Sequence, residues 1–344
     1  MLTLGKYPQM TVAQAHAAYG DAVHKLEEGY DPSTVPLNQR RDTRKSKVIK
    51  DLSEEYLEEY LKPKRSERTY EEYNRIHEHD LYPAIGKMKA KAVKRKDIKA
   101  IIKKVVERGS PVQANRTFAV VRRFFNHLVE EEEIEFSPCN NIRTPSKEQR
   151  RDRVLWDDEL ISFFKNIEKA KMSEVSRNAL KLLLYTGQRP GEIVSLEWND
   201  LDFSNKWWNM PPEKSKNKQG HEIPLTNIAV ELLHNARTLS GDSKWVFPSP
   251  RFNGENHMLE TALARSVSRN LDVLGVERFT PHDLRRTVAS HIASLGFPDH
   301  VLKRILNHKE KSVTAIYNRY DYAPEKRDAL DAWENKLVKL KKSD

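Results

Sequence analysis

The sequence predicts a mainly α-helical protein with a small antiparallel β-sheet, organised as a helical domain followed by a larger mixed α/β domain. Three observations support this prediction. The 344 residues exceed the usual length of one domain. Apolar residues recur with the spacing of helix faces over most of the chain. Two strand-like stretches, 201–210 and 221–225, flank a lysine-rich turn in the second half.

Residues 1–46 are expected to be an appendage to these domains. Helical periodicity from Thr11 to Leu26 predicts one helix, and a polar, basic stretch follows at 39–47. One helix cannot bury a core of its own, because its apolar face needs another element to pack against. We therefore expect this segment to be the remaining part of a domain or an arm.

Residues 47–142 are predicted to form the helical domain. Apolar stripes mark four helices, of which the second is expected over 66–79 and ends before Tyr82-Pro83. The third and fourth stripes lie at 98–106 and 118–128.

The charge of this domain is uneven. Between Lys87 and Arg108 the chain has ten basic residues and two acidic ones. This excess predicts a phosphate-contacting surface, and the alternative is a solvated turn. The candidate DNA contacts are Lys87, Lys89, Lys91, Lys94, Arg95, Lys96, Arg122 and Arg123.

Residues 143–153 are polar and are predicted to be a linker, so that 154–344 form the second domain. One helix is expected to carry Glu192 to Trp198. The other helices are expected near 157–170, 176–186, 226–238, 256–274, 283–295, 298–307, 312–319 and from about Pro324 to the end. The apolar residues of this last helix are expected to dock on a neighbouring protomer, and packing on their own domain is the alternative. These residues are Leu330, Trp333, Leu337 and Leu340.

The composition excludes several classes of protein. The chain has 60 Lys and Arg against 50 Asp and Glu, and this net charge of +10 fits either a polyanionic partner or a solvated surface. The densest apolar stretch is far shorter than the about 20 residues of a membrane helix, and the N-terminus lacks a secretory pattern. The single cysteine, Cys139, excludes an intrachain disulfide and a cysteine-based zinc site. We expect a protein of a reducing, cytosolic compartment, without a membrane partner.

Two segments of the second domain place cationic groups where a phosphate can bind. Arg189 lies between a turn glycine and a new helix, where anions are favoured, and pairing with Glu192 is the alternative. The lysine-rich turn (214–218) can place an ammonium group in a DNA groove or on a leaving oxygen. The alternative for this turn is simple solvation.

Two further segments add histidines and a candidate nucleophile. His282 and Arg285 are three residues apart on one helix face, and Pro281 suits the first turn. The alternative is an ordinary helix start. His308 precedes Tyr317 by nine residues. A tyrosine hydroxyl, with an ordinary pKa of about 10, is a nucleophile only among cations and a base, so Tyr317 is alternatively a core or interface aromatic.

Together these segments resemble the tyrosine recombinase (phage integrase) family. Arg189 stands in the Thr-Gly-x-Arg-x-x-Glu setting of that family, and His282 with Arg285 match its His-x-x-Arg. His308 matches its Leu-Gly-His position, although Asn307 replaces the common glycine.

The spacing of two more residues agrees with the resemblance. Tyr317 lies at the family distance from the preceding histidine, and Tyr320 and Tyr322 are its rivals. Lys216 lies eight residues before Pro224, the usual spacing of the hairpin lysine of the family. Its rivals for that role are Lys214 and Lys218.

The resemblance extends over nearly the whole chain. It implies that 47–142 form the core DNA-binding domain and that 154–344 form the catalytic domain. Residues 1–46 resemble the end of the N-terminal arm-binding domain in integrases of satellite phages and genomic islands. The earlier strands of that domain are missing, so we expect a truncated or naturally short form.

The resemblance implies transesterification on DNA. Tyr317 would attack the scissile phosphorus and form a 3′-phosphotyrosyl link, and the freed 5′-hydroxyl would later attack a partner strand. Lys216 would be the general acid for the 5′-oxygen, and His282 would help to move the tyrosine proton.

The resemblance also assigns charge stabilisation. Arg189 and Arg285 would bind the non-bridging oxygens, with His308 as a further donor. Such fixed cations would replace a metal pair, and exchanging one phosphoester for another needs no ATP, so no cofactor is expected.

The resemblance also implies the partners, which are double-stranded DNA attachment sites and DNA-bending accessory proteins or an excisionase. It implies that four copies of the chain assemble on the DNA, in the bacterial nucleoid or the host cytoplasm. Two alternative functions remain. A type IB topoisomerase shares the chemistry but reseals the same strand, and a non-catalytic DNA-binding protein would need none of these residues.

Overall fold

The computed structural model describes residues 10–27, 47–147, 152–215, 219–308 and 320–342. The chain divides into two compact units, with the boundary between Arg150 and Arg151. Within the described residues, no helix is both long enough and apolar enough to cross a membrane.

The first unit is built from helices. They are α1 (Val12–Glu27), α2 (Ile49–Glu55), α3 (Glu67–Ile76), α4 (Tyr82–Ile85), α5 (Arg95–Glu107) and α6 (Pro111–Glu130). Short 3₁₀ turns cover Lys62–Lys64 and Ala90–Ala92. The apolar stripes of α5 and α6 predicted from the sequence face one core, in which Ile98, Ile101, Phe118, Phe124 and Phe125 are buried.

Two π-helical turns change the predicted course of the chain in this unit. One turn, Tyr56–Leu61, continues α2, and the other, His77–Leu81, continues α3 directly into α4. The prediction that the second helix ends before Tyr82-Pro83 is therefore wrong. In the second π-helical turn the backbone N–H of Tyr82 donates to the carbonyl oxygen of His77, five residues earlier, and Pro83 follows in the first turn of α4.

In the residues described, the second unit combines nine α-helices, two short 3₁₀ turns (Trp198–Asp200 and Pro250–Phe252) and three strands. The helices are α7 (Asp157–Asn166), α8 (Glu174–Thr186), α9 (Pro190–Val194), α10 (Asn227–Ser240), α11 (Glu260–Ser268), α12 (Leu271–Leu274), α13 (Pro281–Ser294), α14 (Asp299–Ile305) and α15 (Ala323–Lys342). The strands β1 (Leu201–Asp202), β2 (Trp207–Met210) and β3 (His221–Pro224) form an antiparallel sheet in the order β1-β2-β3. Trp208 pairs with Leu201 on one side and with Ile223 on the other.

The stretch predicted as one strand, 201–210, is a hairpin of β1 and β2. Asp202 is the cause, because its carboxylate accepts hydrogen bonds from the backbone N–H and the side-chain amide of Asn205. Such local bonds from aspartate favour a turn over an extended strand. The lysine-rich turn then follows β2 and precedes β3, as the sequence predicts.

Two predicted helices of this unit are shorter or divided. The helix expected around Glu192 is only the five residues of α9. The helix expected at 256–274 is split into α11 and α12 near Asn270, whose amide bonds to both backbone groups of Lys171. The helix predicted at 312–319 lies outside the described residues.

The last helix, α15, packs on its own unit. Leu330, Trp333 and Leu337 are fully buried in the core of this unit, and Leu340 packs at its edge. The indole Nε1 of Trp333 donates a hydrogen bond to the carbonyl oxygen of Leu184 in α8 at 2.8 Å. The prediction that this apolar face docks on a neighbouring protomer is therefore wrong, since the face is already covered.

Candidate active site

Arg285 lies on the buried side of the first turns of α13, and only 4% of the residue is exposed. The helix begins at Pro281, as expected, and the carboxylate of Asp283 accepts hydrogen bonds that close its first turn. The guanidinium donates one hydrogen bond to the carbonyl oxygen of Gly187 at 3.0 Å and another to that of Leu306. Arg285 therefore joins the end of α8 to the end of α14.

Gly187 makes this approach possible. It ends α8 in the left-handed conformation, with φ +67°. A Cβ atom at this position would lie 2.9 Å from Cγ1 of Val288 in α13, which is too close for any side chain. The turn glycine predicted from the sequence is therefore required both by its backbone and by the packing of α8 against α13.

Arg189 follows this turn, directly before α9. Its Nη1 lies 2.6 Å from Oε1 of Glu192, and its backbone N–H bonds to the other carboxylate oxygen at 3.0 Å. Nη2 donates to the carbonyl oxygen of Asn307 at 3.2 Å. The ion pair with Glu192, which was the alternative for Arg189, is therefore present. The Arg189 side chain that it orients remains 18% exposed and lies beside Arg285.

His308 lies near Arg189 and Arg285, and we call these two residues the arginine pair. The backbone N–H of His308 donates to the carbonyl oxygen of Lys303 at 2.9 Å, after a left-handed residue, Asn307, with φ +47°. Burial, and then the proximity of Arg285 and Arg189, lowers the pKa of His308 below its ordinary value. The three motif segments predicted far apart in sequence therefore meet at one place.

The charges of this site are fixed rather than titrating. Burial and the neighbouring Arg189 lower the pKa of Arg285 to about 10, so this guanidinium stays charged at neutral pH. Partial burial, and then Arg286 and Arg285, lowers the pKa of His282, which lies at the start of α13. Both motif histidines are therefore neutral at pH 7, each with one N–H donor and one acceptor nitrogen.

Several positioning residues lack a recognisable sequence signal. The side-chain amide of Gln188, which is fully buried, donates to the carbonyl oxygens of Thr186 and Ile305 at 2.9 and 3.0 Å. His221 of β3 bonds to the same Ile305 oxygen at 3.0 Å. Ser215 is buried and accepts a hydrogen bond from the amide of Asn307. Except for the local bond from Gln188 to Thr186, these contacts join residues more than 80 positions apart, so only the fold reveals them.

The lysine-rich turn is described up to its second residue. The ammonium group of Lys214 lies 2.7 and 2.8 Å from the two carboxylate oxygens of Asp200 and 3.2 Å from Glu197. This lysine is therefore held by carboxylates, which weakens its claim to a catalytic role. Tyr320 is half-exposed, and its hydroxyl donates to Glu325. The predicted residues outside the described ranges are Lys216, Lys218 and Tyr317.

The eight predicted DNA contacts lie in the first unit. All are exposed except Lys89, which is half-buried beside an isolated β-bridge to Val48. Arg122 lies over the ring of Phe118 at 5.6 Å, so its guanidinium is held while its edge stays accessible. Their contact with DNA stays a prediction.

The pH dependence of stability is expected to include a contribution from His221. Burial, followed by Lys326, lowers the pKa of His221 to about 3, whereas an unfolded histidine titrates near 6.5. Between these values the unfolded chain binds a proton that the folded chain does not, so the free energy of unfolding falls as pH decreases. The slope from this group is up to about 1.4 kcal/mol per pH unit.

Urea unfolding of the protein between pH 7 and pH 4.5 measures this effect. His221→Gln keeps a donor for the Ile305 carbonyl and is expected to reduce the slope. His234→Gln, on an exposed face of α10, is the matched control and should retain the full slope. Equal slopes in all three proteins would contradict the assignment.

Comparison with known proteins identifies the family of this chain. The profile of the phage integrase family matches residues 153–323, and that of the phage integrase central domain matches residues 49–145. The chain is 25% identical over 344 residues to the prophage integrase IntA of Escherichia coli K12, covering 98% of this chain and 81% of that protein. It is also 25% identical over 367 residues to the integrase of Enterobacteria phage P4, covering 98% and 82%.

Two solved structures have the same fold. A lambda integrase dimer bound to a COC′ core site superposes with a TM-score of 0.67 at 18% identity, covering 90% of this chain and 87% of that one. A lambda integrase tetramer bound to a Holliday junction gives a TM-score of 0.66 at 19% identity, covering 94% and 90%. The two family profiles together match most of the chain, and the motif residues that the structure describes meet at one site. The chain therefore belongs to the phage integrase family and is a site-specific tyrosine recombinase.

Proposed function

We propose that this recombinase cuts and rejoins DNA at the attachment sites of a prophage or mobile element, integrating it, excising it or both. The observation that carries this proposal is the arginine pair, held beside His308 by three main-chain carbonyl oxygens. A partly exposed guanidinium, that of Arg189, and a buried one beside it, that of Arg285, can bind one phosphate together, because each offers several donors in a fixed plane.

The proposed reaction exchanges one phosphodiester for another. The hydroxyl oxygen of Tyr317 attacks the phosphorus, its proton passes to His282 directly or through water, and the bond to the 5′-oxygen breaks. Lys216 gives a proton to that 5′-oxygen, which leaves as a hydroxyl. The resulting 3′-phosphotyrosyl link is then attacked by a 5′-hydroxyl of another strand, and each proton returns by the reverse route.

The arginine pair stabilises the charge that develops in this reaction. Negative charge increases on the non-bridging oxygens as phosphorus gains a fifth oxygen, and Arg189 and Arg285 are already oriented by their partners before DNA binds. His308 is neutral and donates one further hydrogen bond. Because each step conserves a phosphoester, neither step requires a nucleotide cofactor.

We further propose that the first unit binds the duplex through its basic surface, formed by the eight candidate contacts, while the second unit acts on the phosphate. The fold is shared with an integrase that was solved as a tetramer on a Holliday junction. By analogy, four copies of this chain would act on two duplexes, with DNA-bending proteins or an excisionase setting the direction.

A nicked duplex that carries the attachment site of the element tests this function. The nick lets the short 5′-ended strand diffuse away, so that the covalent intermediate accumulates and is resolved on a denaturing gel. Adduct, together with recombinant joints from intact sites, is expected. Relaxation of any supercoiled plasmid without joints would instead indicate a topoisomerase, and binding without adduct would indicate a non-catalytic protein.

A further inference from the structure

The side-chain amide of Gln188 bridges two main-chain carbonyl oxygens that belong to separate helices. Its Nε2 donates to the carbonyl oxygen of Thr186, the last residue of α8, at 2.9 Å. The same nitrogen donates to the carbonyl oxygen of Ile305, the last residue of α14, at 3.0 Å. Gln188 is fully buried, so it restrains the distance between the ends of these two helices from inside the unit.

Arg285 spans the same gap one residue further along each segment. Its guanidinium binds the carbonyl oxygens of Gly187 and Leu306. Gly187 directly follows Thr186, and in the same way Leu306 directly follows Ile305. Consecutive Cα atoms are about 3.8 Å apart, so a bond that holds one carbonyl group restricts where the next can lie. A neutral amide and a charged guanidinium therefore cross the gap in parallel.

The other contacts at this place do not account for the amide. The carbonyl oxygen of Ile305 already accepts a hydrogen bond from His221 at 3.0 Å, so it has a partner without Gln188. Oε1 of Gln188 is buried and has no hydrogen-bond partner among the described residues. A buried polar atom without a partner costs free energy, which an apolar side chain would avoid. The bridge between the two helix ends is the contact that remains to explain this residue.

We propose that Gln188 is a positioning residue, which holds the two carbonyl acceptors of Arg285 at the separation that the guanidinium needs. Arg285 is buried and uses part of its donor fork on these acceptors. If either acceptor shifts, the donors that are left for the phosphate shift with it. This inference rests on the proposed function, because it assumes that Arg285 stabilises the charge of the phosphate.

A substrate with a neutral scissile linkage isolates this role. In a methylphosphonate, a methyl group replaces one non-bridging oxygen. Cleavage still forms a bond from the attacking oxygen to phosphorus and breaks the bond to the 5′-oxygen, which leaves with a proton as a hydroxyl. Because less negative charge develops around phosphorus, the rate depends less on the guanidinium groups. A defect that comes from a displaced guanidinium is therefore smaller on this substrate, whereas general damage to the fold slows cleavage of both.

Gln188→Met is the informative variant. Methionine is similar in length and shape but cannot donate a hydrogen bond to either carbonyl oxygen. Single-turnover formation of the covalent adduct on the phosphodiester duplex is expected to slow about tenfold, a part of the 10²- to 10³-fold that is typically lost when a transition-state donor is removed. On the methylphosphonate duplex, the variant is expected to stay within about twofold of the wild-type rate on that substrate.

Asn270→Leu is the matched control. Asn270 is also buried, and its amide donates to the carbonyl oxygens of Lys171 and Ser266. Leucine removes this bridge at carbonyl groups that do not hold the arginine pair, so the variant should cleave both substrates at the wild-type rates. The same selective defect in this control would contradict the proposal.

Thermal unfolding of each variant verifies that the fold is retained. If Gln188→Met does not fold, His221→Leu takes its place, because it removes the other side-chain donor to the carbonyl oxygen of Ile305. It should then show the same selective defect on the phosphodiester.

Arg285→Ala separates failure of the inference from failure of the proposed function. Its defect on the phosphodiester should shrink by at least about tenfold on the methylphosphonate. If the defect does not shrink, the guanidinium does not stabilise the charge of the phosphate, and both the mechanism and the role of Gln188 are overturned. If it shrinks while Gln188→Met slows both substrates equally, or neither, the mechanism stands and the role of Gln188 is overturned.

Discussion

Replacing Tyr317 with phenylalanine is expected to abolish the covalent protein–DNA adduct, with a loss of at least about 10⁴-fold in the rate of its formation. Phenylalanine retains the aromatic ring but lacks the hydroxyl oxygen that would attack phosphorus. Removing the nucleophile lowers the rate of adduct formation more than removing any single stabilising contact, because without an attacking oxygen the other groups cannot promote the reaction. The nicked attachment-site duplex and a denaturing gel measure the adduct.

Tyr320→Phe is the matched control for this result. Tyr320 lies three residues later and is half-exposed, and its hydroxyl donates a hydrogen bond to Glu325. This variant should form adduct at nearly the wild-type rate, and both variants should bind the duplex with unchanged affinity in a mobility-shift assay. Persistent adduct in the Tyr317→Phe protein would assign the nucleophile to another residue.

Replacing Arg285 with lysine is expected to slow single-turnover cleavage by about 10²- to 10³-fold, although the formal charge is unchanged. The guanidinium of Arg285 binds two carbonyl oxygens, of Gly187 and Leu306, and lies near the charge of Arg189. An ammonium group is a single point donor and cannot span both carbonyls and a phosphate. A loss of this size is typical for a group that stabilises a transition-state charge.

The neighbouring Arg286 provides the comparison. It lies on the same helix turn but is more exposed, and it pairs with Asp283 at 2.8 Å. Arg286→Lys should cleave within about twofold of wild type, since the ammonium group of lysine can also pair with Asp283. If both lysine variants retain activity, the buried guanidinium has only a structural role. Thermal unfolding and DNA binding distinguish loss of catalysis from loss of fold.

The sequence predicts the parts of this protein that depend on local chemistry. Helix stripes, turn glycines and capping residues act over a few positions, so α5, α6, α8 and the start of α13 follow from the sequence with small shifts. Arg189, Arg285 and His308 were identified from motifs, and the fold brings them together. The hairpin of β1 and β2 could have been found from Asp202 and Asn205, whose spacing favours a turn.

The contacts that sequence reasoning missed act over long distances. Asn307 and Ser215 lie 92 positions apart, and His221 and Ile305 lie 84 positions apart, so no local pattern indicates either pair. The two π-helical turns are likewise absent from the sequence-based prediction. The covered face of α15 was mispredicted for the same reason, because an apolar stripe does not specify which partner buries it.

Hydrogen bonds to main-chain carbonyl oxygens hold much of the arginine pair in place, and this affects which substitutions the site can accept. The carbonyl oxygens of Gly187, Leu306 and Asn307 are present whatever side chains those positions carry. Substitutions at 306 or 307 can therefore alter the surroundings of the site without removing the oxygens that orient its charges. The orientation of the two guanidinium groups is in this respect a property of the backbone fold rather than of the neighbouring side chains.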